Sequence, residues 1–188
     1  FYSNGGSWLM ASKIKVDQIQ TADGTGTIAL QNQLSGMDYS SMPAGSIIQV
    51  VSANHEGSDI TTTSDDDVST GLSLTITPKY ANSHIWLTLT GGSQNYGTNA
   101  TIGVSAFYRN INSGGASSLG YVDAIYGALG AVYAPHTAQL FDTTHNSTNS
   151  IQYLVYMRSR ASVGNYYFHH HNGGISGKVV FTAMEVKQ

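Results

Sequence analysis

Three consecutive histidines in "YYFHHHNGG", residues 166–174, form the densest run of chemistry-bearing side chains in the sequence. Side chains in a strand alternate between faces, so His169 and His171 are expected to project together while His170 points away. Imidazole is a good ligand for Fe, Ni, Cu or Zn, and an H-x-H pair presents two ring nitrogens on one face. The four-ligand spacing of a zinc site is absent. The plain alternative is a polar strand end whose histidines are exposed or stack with Tyr166 and Tyr167.

Other polar clusters carry less. Asp65, Asp66 and Asp67, with Glu56 and Asp59 nearby, could hold Ca²⁺ through loop carboxylates. They lack the Asp-x-Asp-x-Asp-Gly spacing and final Glu of a calcium loop, so they read as a solvated loop. "GTGTIA", residues 24–29, matches G-x-G-x-x-A in form, yet it neither follows a buried strand nor opens a helix, which argues against a dinucleotide site. No G-x-S-x-G elbow is present. Asp123 and Asp142 both lie beside aromatic residues, but acids near tyrosine are common in β-domains and do not make a glycosidase pair. The sequence therefore reads as a non-enzymatic protein. The tyrosines are more telling: many of the twelve sit beside Gly and Asn rather than within apolar alternation. That composition suits adaptable recognition surfaces, where a flat amphipathic ring gives contact area at low entropic cost. Tyr96, Tyr126, Tyr133 and Tyr166 are the candidates for a sugar- or protein-binding tip, each with core or inter-subunit packing as its alternative.

Composition limits what must position these groups. Of 188 residues only 10% are charged, while 40% are apolar and 21 are glycine, a profile of short strands joined by many turns. A net charge of −3 and scattered Lys and Arg give no electrostatic footprint for nucleic acid. No cysteine is present, so disulfides and thiolate metal sites are excluded. No apolar run approaches the roughly 18 residues of a spanning helix, so membrane insertion by a helix is not expected. The start "FYSNGGSWLM" has neither the basic region nor the apolar stretch of a signal peptide.

The chain divides by pattern at "SSMPAGS", residues 40–46, into a polar segment, 1–45, and a strand-rich part, 46–188. "GLSLTIT" sets Leu72, Leu74 and Ile76 against polar neighbours and stops at Pro78, and "SHIWLTLTGG" repeats the device. With "SIIQVVSA", "TIGVSAFYRN", "SLGYVDAIYGAL", "AVYAPHTAQLFDTT", "SIQYLVYMRSR", "NYYFHHH" and "GKVVFTAMEVKQ", these predict an all-β domain. The expected form is an antiparallel β-sandwich of jelly-roll type, with a closed barrel as the alternative.

Particular stretches carry a resemblance. "SKIKVDQIQTADGTGTI", the turn "MPAGSIIQVVSA", the Thr-rich loop and strand pair "TTTSDDDVSTGLSLTITPKYANSHIWLTLTGG", and the ending "VVFTAMEVKQ" are similar to short fibre and virion structural proteins of tailed bacteriophages, especially cyanophages. The likeness covers residues 12–90 and the last ten; "FYSNGGSW" looks like the closing strand of a preceding fibre module. The resemblance implies a homotrimer on the virion, with a thin N-terminal stalk docking on other virion proteins and a head binding a host-surface glycan or protein. A decoration or connector protein that binds only virion subunits is the alternative, followed by a fragment of a glycan-cleaving tailspike. In such a stalk Ile14, Val16 and Ile19, then Ile28 and Leu30 after the bend at residues 24–26, would meet their symmetry mates. His169 and His171 from three chains would offer six nitrogens to a transition metal on the axis. No other cofactor is expected.

Overall fold

The structure is a computed structural model that describes residues 19–20, 27–28, 38–96, 102–126, 132–160, 164–171 and 177–188. The chain splits into two units, Phe1–Ser40 and Ser41–Gln188. In the first, β1 (Ile19–Gln20) pairs antiparallel with β2 (Thr27–Ile28), with Ile19 opposite Ile28. Ile19 and Ile28, expected to meet symmetry mates in a stalk, are cross-strand partners within one chain. Ile14, Val16 and Leu30 lie outside the described residues. The division falls a few residues before the Pro43–Gly45 turn because that turn is tied to the C-terminal strand. Gly45 N donates to the Lys187 carbonyl, Lys187 N to that of Ser46, and Lys187 Nζ to that of Met42.

The second unit contains β3 (Ile47–His55), β4 (Ile60–Thr62), β5 (Val68–Ile76), β6 (His84–Tyr96), β7 (Ile102–Ile111), β8 (Ser117–Tyr126), β9 (Val132–Asp142), β10 (Ile151–Arg160), β11 (Tyr166–His169) and β12 (Val179–Val186). β5 alternates as its sequence predicts: Leu72, Leu74 and Ile76 are buried, and the residues between them face outward. β10 and β12 keep the same period-two burial along their whole length.

One sheet has the order β5-β10-β7-β8. In the other, β9 runs along one edge of β6, while β12 and then β11 occupy the opposite edge, with β3 beyond β12 and β4 beyond β11. β3 and β4 thus form one interrupted ribbon, as do β11 and β12. Counted as ribbons in chain order, the two sheets read 1-8-3-6 and 2-7-4-5. This is the double Greek key of a jelly roll, so the structure is the all-β antiparallel sandwich that the strand patterns predict.

The inward faces meet in a core built around Leu74, Ile76, Leu87, Leu89, Phe107, Tyr153, Phe168 and Phe181. The sheet with interrupted ribbons bends where β6 carries a register shift against β9 between Gly91 and Gln94. Gly91 and Gly92 there have φ of +76° and +66°, and a Cβ on Gly91 would lie 2.5 Å from the Lys178 carbonyl oxygen. Only glycine fits that approach.

Candidate functional site

The outer face of the β5-β10-β7-β8 sheet gathers polar and aromatic side chains by register, uncharged at the end where β10 begins. Thr75, Gln152 and Asn110 are cross-strand partners in one row, where β5 ends, β10 begins and β7 nears its turn. The β7–β8 turn closes over this row. Gly114 N donates to the Ile111 carbonyl at 3.0 Å, and Asn112 and Ser113 between them have φ of +49° and +59°. Positive φ at both central residues defines the type I′ hairpin turn, which favours Asn first and glycine second, so Ser113 holds an unfavourable backbone conformation. With Ser150 these residues line an open pocket of about 300 Å³: Thr75, Asn110, Asn112, Ser113, Ser150 and Gln152.

Along the same face the next rows are Ser73, Leu154, Tyr108 and Ser118, then Ser69, Tyr156, Ala106 and Tyr121. The Tyr108 and Tyr156 rings lie 4.1 Å apart, and the Arg158 guanidinium sits 4.4 Å over the half-exposed Tyr121 ring. Tyr108 donates its hydroxyl to Asp67, and burial together with that carboxylate pushes the phenol up to about 12. Tyr108 is thus held neutral and fixed in place beside Tyr156.

The outer face of the other sheet has different chemistry. Val50, Met184, Trp86 and Phe141 are direct cross-strand neighbours across its ribbons. Val50 is 59% exposed and Phe141 52%, and the Trp86 and Phe141 rings stack at 5.4 Å. This is an apolar row without a charged member.

The histidine run is placed differently from the expectation. An extra residue in β11 shifts its register with β4 between Tyr167 and His169, so Phe168 and His169 are both buried. His169 is completely buried, and neither ring nitrogen has a hydrogen-bond partner. His171 lies beyond the strand on the surface, its backbone N–H donating to Asp59. The two do not form one outward-facing pair, because the bulge reverses the alternation on which the pairing rested. The His55 ring meets His169 edge-on at 5.1 Å, and burial, then His55, lowers the His169 pKa. Among the described residues no three His, Cys, Asp or Glu side chains gather as metal ligands. The acids near the expected loop are dispersed: Glu56 pairs with Lys178, Asp59 lies beside His170, and Asp67 accepts from Tyr108.

Of the tyrosines named from sequence, Tyr126 and Tyr133 are 68% and 53% exposed, and the Tyr133 ring lies 5.8 Å from that of His170. Only the backbone of Tyr96 is described; it pairs with Tyr166 and Val132. Tyr166 is corrected. It is fully buried, its ring rests against Gly103, and its hydroxyl contacts Ser105 Oγ at 3.0 Å and donates to Gln94 Oε1 at 3.1 Å. Gln94 Nε2 in turn donates to Asp123, whose Oδ2 lies 2.8 Å from His136 Nδ1, so Asp123 belongs to an interior network. Asp142 is likewise committed. Both its oxygens accept from Arg109 Nη1, and Tyr153 Oη and the Thr144 N–H also donate to it. Burial alone would raise this carboxyl, but the bonds from Arg109, Tyr153 and Thr144 outweigh it and hold the pKa below the usual range. Both carboxylates are thus held by the fold's own side chains.

The residues that sequence reasoning missed are Asn110, Gln152, Thr75, Tyr108 and Tyr156. One signal existed: in "FYRNINSGG" Tyr108 and Asn110 are two apart, hence on one face, and lead into a Gly-rich turn.

No protein-family model and no curated protein matches the chain. Among solved structures it is similar to one described as "Structure of infectious bursal disease virus Gx strain", at 15% identity and a TM-score of 0.35, covering 74% of this chain and 34% of that one. The corresponding Gt strain structure gives 15% identity, a TM-score of 0.30, and coverage of 77% and 37%. The chain spans about a third of the length of these viral chains.

Proposed function

We propose that this chain is a structural protein of a bacteriophage virion, assembled as a trimer, whose jelly-roll head binds a host-surface glycan or protein. The observation that carries the reading is the contrast between the two outer faces of one sandwich. The row Val50, Met184, Trp86 and Phe141 suits burial against a neighbouring subunit, while the tyrosine platform and amide-lined pocket suit a soluble or surface-displayed partner. The jelly-roll order is in keeping with this, since that architecture serves viral shells and lectins. The sequence likeness to phage fibre proteins supplies the setting. Three weak heads per fibre, repeated over a particle, turn millimolar contacts into stable adhesion.

The second reading, a decoration or connector protein, is favoured by the apolar row alone. One experiment separates them. The purified full chain is added to host cells before infection: blocking of adsorption supports the receptor-binding head, and unimpeded adsorption at saturating protein leaves the decoration reading standing.

A further inference from the structure

We infer that the pocket at the β7–β8 turn binds a neutral saccharide unit, with Gln152, Asn110 and Asn112 reading its hydroxyls and the Tyr108–Tyr156 pair supporting the adjoining ring. The inference rests on the receptor-binding reading for its biological source, but not for its chemistry. Three of the lining side chains are primary amides and three carry hydroxyls, with no charged group among the six. A phosphate or carboxylate would find no cation there, and a metal ion no carboxylate. An apolar ligand would strip water from the lining without replacing its hydrogen bonds. A polyhydroxylated neutral ligand remains, because each sugar hydroxyl both donates and accepts, as does each amide group taken whole.

The side chains are free for this role. Among the described residues those of Thr75, Asn112, Ser113 and Ser150 make no hydrogen bond, and Gln152 reaches only Ser73 Oγ at a long 3.4 Å. Asn110, which lines the pocket, accepts from Gly115 N–H through Oδ1, which fixes the amide, and its NH₂ makes no hydrogen bond among the described residues. Thr75, Gln152 and Asn110 stand on three hydrogen-bonded strands about 4.8 Å apart, a spacing comparable to the span of a pyranose ring. That base is rigid without any ligand, which lowers the ordering cost of binding. Ser113 keeps an unfavourable positive φ where glycine would relieve it, so the turn retains a hydroxyl at the rim. Tyr108 lies two residues from Asn110 on the same face, about 7 Å along the strand, where a second sugar residue would rest on its ring.

The test uses the full chain labelled with ¹⁵N and titrated with neutral hexose oligosaccharides, N-acetylated hexosamine oligosaccharides and uronic-acid oligosaccharides. Saturable shifts at the amides of Thr75, Asn112, Ser113 and Gln152, produced by a neutral series and not by the uronates alone, are expected. Gln152→Ala should weaken that binding about tenfold, the loss of roughly one well-made hydrogen bond, while leaving the rest of the spectrum in place. Shifts that map elsewhere, binding of the uronates alone, no shifts up to the solubility of every sugar, or unchanged affinity in Gln152→Ala would each overturn the assignment. Adsorption blocking keeps the two readings apart. If the parent chain and Gln152→Ala block equally, the pocket assignment fails and the receptor-binding head stands. If the parent binds sugar in the pocket but blocks nothing, the receptor-binding reading fails and the site stands.

Discussion

Replacing Gly103 by alanine tests how the interior of the sandwich was built around a tyrosine that the sequence offers as a surface residue. A Cβ at Gly103 would stand 2.1 Å from Tyr166 Cδ2 and 2.5 Å from Cε2, distances no real methyl adopts. The ring cannot simply step aside: it is fully buried, and its hydroxyl is held by Ser105 and Gln94. Either the ring moves and loses those bonds, about 1 kcal/mol each, or β7 shifts against β10 at the usual overpacking cost of roughly 1–3 kcal/mol. Gly103→Ala should therefore cost about 2 kcal/mol, a fall of roughly 4–8 °C in melting temperature for a domain of this size. Calorimetry and urea titration of Gly103→Ala, Tyr166→Ala and the double variant give the coupling. In the double variant the added methyl enters the space vacated by the ring, so the two costs should be non-additive by at least about 1.5 kcal/mol. Additivity within about 0.5 kcal/mol, or a near-neutral Gly103→Ala, would refute the packing argument and return Tyr166 to the surface.

Other outcomes follow from the same geometry. Asp142→Asn leaves the largely buried Arg109 without its carboxylate and should cost about 3 kcal/mol by urea titration at pH 7. Because the folded-state pKa of Asp142 lies below its ordinary 3.8, the pair stabilises fully above that value and its contribution is lost as pH falls through the folded value. The variant's deficit should thus shrink in strong acid, and a deficit independent of pH would contradict the assignment. His169, with His55 against its edge and Asp59 nearby, has a folded-state pKa below its ordinary 6.5. The protein should lose stability as pH falls below 6.5, and His169→Phe should flatten the dependence of melting temperature on pH between 7.5 and 5.5. Phe141→Asp alters an exposed position, so the fold should survive while the proposed trimer should be lost, a change in mass that light scattering of the parent chain and the variant reads. An oligomer of unchanged mass would remove this face from the assembly.

The strands were legible because their inward faces obey a strict period of two: Leu72, Leu74 and Ile76 announce β5, and Ile85, Leu87 and Leu89 announce β6. Their number and spacing, with turns between, fit a jelly roll or a closed barrel, and the strand order of the two sheets decides for the jelly roll. What alternation could not reveal is where it breaks. The bulge that buries His169 beside Phe168 is set by pairing with Thr61 and Ile60, more than a hundred residues away, and nothing local to "FHHH" marks it. Tyr166 sits among polar residues in sequence, yet the missing side chain of Gly103 on another sheet makes its socket. The pocket was hidden for the same reason: Thr75, Asn110 and Gln152 meet only through the register of three strands. Asp123 and Asp142, ambiguous as bare acids, are each resolved by an amide or basic partner on the opposite sheet.

The most direct test of the proposed role is a cryo-electron microscopy map of purified phage particles proposed to carry this chain, reconstructed without imposed symmetry so that the number of copies is read from the map. The account predicts three jelly rolls around one axis, each with Phe141 and Trp86 toward its neighbour and the Asn110–Gln152 pocket facing outward. Particles that lack the chain, or a single copy whose amide pocket is buried against another subunit, would contradict it.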